Sequence, residues 1–189
     1  MYIATYIFTL LVMLYHFKKE FGYICECSGL GERKNKYYKI YNYGYLIWGL
    51  LSLPFTYILA RSIDSGILTT ISEVFMYIAS LSLVFIALYP RDTHLKIHTF
   101  FSFSLFISII IYLVTFMPIF SKSDIIDFPI NYLNVFVVVS LIYYSYLKLA
   151  DIKRYGFDNE REIYVAVYEW IPFISGFLWI FLVSIDLLG

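Results

Sequence analysis

The chain has 189 residues, of which 61% are hydrophobic, 22% aromatic and only 15% charged, with fourteen Lys and Arg balanced by fourteen Asp and Glu. A soluble domain of this length cannot hide so much apolar surface, and the mean hydropathy of +0.74 points to lipid as the solvent. Zero net charge, with Glu20, Glu26, Glu32, Asp151, Asp158, Glu160 and Glu162 set among the basic residues, excludes the basic stripe of a nucleic-acid binder.

A bilayer core of about 30 Å needs roughly 20 apolar residues per helix. Six runs answer to that measure, at residues 2–17, 41–60, 66–89, 97–120, 130–149 and 163–188. The expected fold is therefore all-α, a polytopic bundle of six transmembrane helices forming a single domain over residues 1–189. A transmembrane barrel would alternate polarity in segments of about ten residues, whereas the run from Phe101 to Phe116 is continuously apolar apart from its serines and Thr115. The first run lacks the basic flank and small-residue cleavage site of a signal peptide and reads as a membrane helix.

Helix one leads into the longest polar stretch, residues 17–36, which carries the only two cysteines. Cys25 and Cys27 flank one residue, a spacing that suits neither an easy disulfide nor a C-x-x-C site. Two packed thiols are the simplest reading, with palmitoylation and metal binding as alternatives. The entry to helix two is dense in tyrosine (Tyr37, Tyr38, Tyr41, Tyr43, Tyr45), which suits the headgroup layer. Pro54 is expected to bend that helix.

Helix three carries Glu73, an acid at membrane depth and so a candidate for function facing the bundle interior. Asn131 and Asn134 of helix five descend from the same side, and Ser184 and Asp186 end helix six at similar depth. Together these define an expected polar pocket of Glu73, Asn131 and Asn134. Hydrogen bonding between helices is the alternative role for such residues.

The link between helices three and four, Leu88 to His98, is the most compact polar segment and holds two of the three histidines. Pro90 should end the incoming helix, and Asp92 or Thr93 should cap the outgoing one. His94 and His98, four apart, should share a face of its first turn. Glu169, at the same end of helix six, is a possible partner. In helix six the Ser175-Gly176 pair should let another helix approach closely.

Loop charges orient the expected bundle. Twelve of the fourteen Lys and Arg lie at or after the ends of helices one, three and five, and only Arg61 and Lys122 lie opposite. The positive-inside rule places residues 17–40, 90–97 and 150–162 in the cytoplasm and both termini outside the cell membrane.

His16, Cys25, Cys27, His94 and His98 collect at one depth, and zinc accepts four such ligands. Their spacing does not demand it, so neither a metal nor any other cofactor is expected. His98, His94 and Glu169 are the candidates for acid–base chemistry, but G-x-S-x-G, H-E-x-x-H and P-loop motifs are absent, and whether the chain is an enzyme stays open. The leading reading is contact with membrane lipids through Arg91, His94, His98 and Glu169. An intramembrane lipid hydrolase or transferase, or a metal-dependent enzyme using His94 and His98, is the second. A small carrier or channel using Glu73 is the third.

Several local patterns in chain order resemble the DUF998 family of six-helix prokaryotic membrane proteins, related to the DRAM/Frag/Sfk group. Ser28-Gly-Leu-Gly31 resembles its S-x-L-G after helix one, and Tyr41-Asn-Tyr-Gly44 its F-N-x-G. Tyr89-Pro90 followed by His98 resembles its F-P…H link, and Glu169 with Trp170 and Trp179 its last helix. The resemblance implies a six-helix bundle and, through the wider group, lipid sorting, asymmetry or remodelling. It singles out Ser28, Gly31, Asn42, His98 and Glu169. Gly29 stands where the family has Asp, the cysteine pair belongs to no family pattern, and the relatives' termini are usually drawn inside.

Overall fold

The computed structural model describes residues 2–63, 66–120, 128–155 and 163–186. Six α-helices follow one another: α1 (Tyr2–Phe21), α2 (Tyr38–Ile63), α3 (Ile67–Leu88), α4 (Arg91–Phe120), α5 (Phe128–Tyr155) and α6 (Ile163–Asp186). A short 3-10 turn, Cys27–Gly31, lies between α1 and α2. The described residues contain no strand, so the all-helical reading holds.

Helix ends differ from expectation where polar residues continue a helix beyond its apolar run. α4 begins at Arg91 rather than Ile97, and α5 extends past Leu149 to Tyr155. Backbone hydrogen bonding carries a helix on through polar residues, whereas the hydropathy signal stops where the apolar run ends. Pro90 does separate α3 from α4. However, His94 has non-helical angles (φ −139°, ψ 50°) and kinks the start of α4. That kink removes the shared face expected of His94 and His98: His98 is 4% exposed, while His94 is exposed with its ring edge-on to Tyr89.

Consecutive helices from α2 to α6 pack in sequence, and α1 touches α6 and the 3-10 turn. Two apolar clusters fill the interior. One joins α1, the first loop, α2 and α3 through Leu10, Phe17, Leu30, Tyr41 and Ile86. The other joins α4, α5 and α6 through Phe116, Val137, Leu141, Trp179 and Val183. The outside is equally apolar, with Phe8, Ile58, Ile67, Phe100, Val139 and Tyr146 exposed. Such a surface suits lipid and not water. Among the described residues, Ile67–Leu88, Arg91–Ile119 and Tyr132–Arg154 are long and apolar enough to cross a membrane, and Ala166–Ile180 is a shorter apolar helix.

Small residues act at one helix contact and not at another. A Cβ on Gly49 of α2 would lie 2.8 Å from the Ser80 carbonyl oxygen of α3, so those helices meet backbone to backbone. Gly176 of α6 was expected to serve the same purpose, but a Cβ there would meet nothing closer than Val137 Cγ1 at 3.9 Å. It borders a cavity instead. Gly49→Ala should therefore destabilise the protein by about 1–3 kcal/mol through overpacking, whereas Gly176→Ala should not. Thermal unfolding of the two variants in the same detergent checks the contrast.

Candidate functional site

The Leu88–His98 link packs against the first loop, and the contacts explain how a polar segment is held at the end of an apolar bundle. Asp92 does not cap its own helix; its Oδ2 accepts the Arg33 N–H at 2.9 Å. Beside it, Arg91 Nη1 donates to Glu26 Oε2 at 2.9 Å, and its Nε lies 4.0 Å from Glu32 Oε1. Lys148, near the end of α5, donates to the other Glu26 oxygen, Oε1. One carboxylate thus bridges cations from α4 and α5. Arg91, Glu26 and Lys148 are all largely buried, so this interaction is screened far less than a surface pair.

The last helix completes the attachment. Glu169 Oε2 accepts the backbone N–H of Cys27 at 2.7 Å, and the Trp170 indole N–H donates to the Cys25 carbonyl at 3.1 Å. Backbone groups of the loop that water would otherwise satisfy are paired with α6. Within the loop, Asn35 donates to the Leu30 carbonyl and Asn42 to the Gly31 carbonyl. A Cβ on Gly31 would fall 2.6 Å from Asn42 Oδ1 and 2.7 Å from the Tyr41 ring, so a larger residue would force the loop off α2. The Cys27–Gly31 turn is consequently seated in the bundle, with Leu30 fully buried.

His98 stands at the inner edge of this assembly. Its Nδ1 is 3.0 Å from the Tyr89 carbonyl oxygen. A carbonyl only accepts, so Nδ1 carries the proton, and in the neutral ring Nε2 keeps a lone pair. That Nε2 is buried and has no hydrogen-bond partner among the described residues. His98 lines a cavity of about 50 Å³ together with Glu26, Arg91, Ser102, Lys148 and Glu169.

Arg91, His98 and Glu169 therefore line one cavity, and His94 does not. Glu26 and Lys148 also line it, and no sequence motif marks Glu26. The signal that marks Lys148 is its position among Tyr144, Tyr146 and Leu149, where a cation needs a partner.

The remaining candidates are dispersed. His16 packs against the ring of Tyr37 with centroids 5.4 Å apart. Cys25 and Cys27 are buried free thiols, and burial, reinforced by the Glu169 carboxylate, pushes both well above the usual thiol range. Protonated thiols are poor metal ligands and nucleophiles. No group of three or more His, Cys, Asp or Glu among the described residues is placed to hold a metal ion. Glu73 accepts the Tyr77 hydroxyl at 3.0 Å one turn along its own helix. Asn134 is fully buried against the Leu113 carbonyl of α4, Nδ2 at 3.4 Å. Glu73 borders a small cavity with Thr56, Thr69 and Ser72, and Asn134 is not in its lining. The side chains of Asn131, Ser184 and Asp186 lie outside the described residues.

A family model described as "Protein of unknown function (DUF998)" matches residues 26–186. No curated protein and no solved structure matches the chain.

Removing the shared carboxylate should strip Lys148 of its ion-pair partner and leave Arg91 only the more distant Glu32, at 4.0 Å. Glu26→Ala is expected to cost about 3 kcal/mol, near the lower end for breaking a buried pair. In the double variant with Arg91→Ala much of that loss should be recovered, and a thermodynamic cycle on unfolding in detergent reads the coupling.

Proposed function

As the chain belongs to the DUF998 family, whose activity is unknown, we propose that it is a multi-pass protein of the cell membrane whose polar cavity receives a lipid headgroup. The distribution of Lys and Arg supports six crossings with that cavity at the cytoplasmic end and both termini outside. The likeness to the DRAM/Frag/Sfk group supplies the setting of lipid sorting, asymmetry or remodelling.

One observation carries this reading: the buried, unpartnered His98 Nε2 in a cavity that also presents Arg91 and Lys148. A buried acceptor without a donor is costly, and a ligand that brings a donor removes the cost. Phosphate oxygens suit Arg91 and Lys148, in competition with Glu26. Phosphate diesters bring no donor to Nε2, so the headgroup needs a hydroxyl or an ammonium as well. Phosphoglycerol and phosphoethanolamine meet both demands, and phosphocholine lacks the donor.

Native mass spectrometry after mild detergent extraction tests this directly. Phosphatidylglycerol and phosphatidylethanolamine should be retained over phosphatidylcholine, by about tenfold for one lost donor at a polar site (1.4 kcal/mol). His98→Phe and Arg91→Ala should abolish that preference. Retention that ignores headgroup, or survives both substitutions unchanged, would exclude the site.

A further inference from the structure

Next to the polar cavity lies a much larger space, about 400 Å³, enclosed by α2 to α6. Phe106 lines both spaces, so they adjoin at one side chain. The larger cavity is lined mostly by apolar side chains. Ser52 and Ser80 line it, but their hydroxyls donate to carbonyls of their own helices, Trp48 and Met76, each at 2.8 Å. Near the loop end, Trp48 stacks on Phe177 with centroids 4.5 Å apart and joins α2 to α6. Further along α2, Leu51 and Phe55 line the cavity and are also exposed on the outer surface, 52% and 39%. The cavity therefore opens sideways, on the face read above as meeting lipid.

Its length is informative. On α6 the lining runs from Pro172 to Val183, which at about 1.5 Å per residue is about 16 Å. One leaflet is half of a hydrocarbon core of about 30 Å. The space thus has the length of one leaflet, begins beside the polar cavity, and is mostly apolar.

We propose that this cavity holds one acyl chain of the lipid whose headgroup enters the polar cavity, with Phe106 at the junction. The proposal rests on the headgroup reading and narrows it to a lipid that presents a single chain to the protein. Moving a chain from bilayer to apolar cavity brings little hydrophobic gain, since lipid tails are as apolar as the lining. The chain site therefore selects for length and shape, and the headgroup site supplies affinity.

Gly176 and Ala79 give the means to test it. Both line the cavity, and the open space beside Gly176 lets a side chain there project into the cavity without meeting backbone. The full-length protein in mild detergent is presented with lysophosphatidylglycerols of graded chain length, and retention is read by native mass spectrometry. Retention should peak at one length and fall about tenfold once two further methylenes no longer fit. Gly176→Leu and, independently, Ala79→Leu should move the peak to shorter chains. His98→Phe should lower retention at every length and leave the peak where it was. A retention that rises steadily with chain length, or a peak that neither filling variant moves, overturns the chain site while His98 dependence keeps the headgroup reading. Retention indifferent to His98→Phe overturns both.

Discussion

A single carboxylate holds the loop end of this bundle together. Glu26, on the first loop, is shared by Arg91 from α4 and Lys148 from α5, and Glu169 from α6 takes the neighbouring Cys27 amide. Three helices and a loop distant in sequence are joined within three consecutive residues, Cys25 to Cys27. In a largely apolar chain these polar contacts have few rivals, and the low dielectric around them makes each unpaired partner expensive. The loop is therefore docked into the bundle as a cap, and the polar cavity exists because the cap closes over it.

Geometry at the cap also fixes the chemistry beneath. The kink at His94 turns that residue outward and His98 inward. The Tyr89 carbonyl then sets the His98 tautomer and leaves a lone pair with no donor. An acceptor beside two cations, with a leaflet-length apolar space across Phe106, forms an amphipathic pair of cavities. The arrangement matches the proposed lipid, laid along the bundle axis. The second polar centre at Glu73 lacks the two cations: among the described residues no Lys or Arg lines its cavity, and its carboxylate is answered by Tyr77 on the same helix.

The fold was legible in the sequence because hydropathy over twenty residues is a strong signal. Each of the six apolar runs became a helix, and the errors were confined to ends where charged residues such as Arg91 and Lys153 continue the helical hydrogen bonding. The site was half legible. His98, Arg91 and Glu169 stood out as polar residues bordering apolar runs, and they do meet. The shared face of His94 and His98 was wrong, since helical spacing predicts a face only if the backbone is helical throughout. Glu26 could not be singled out, because its importance lies in contacts 65 and 122 residues away, which no local pattern encodes. Gly176 illustrates the same limit: a small residue marks either a close contact or an empty space, and only the neighbouring helix decides between them.

The claim most open to direct measurement is that the first loop is a docked cap. Hydrogen exchange followed by mass spectrometry on the intact protein reads the backbone amides of residues 25–31. In the native protein the Cys27 amide, bound to Glu169, should exchange slowly, as the buried interior of α3 does. Arg91→Ala should release the segment to fast exchange while α3 stays protected. Fast exchange at Cys27 in the unmodified protein would contradict the account, because the loop would then be open and the cavity beneath it unformed.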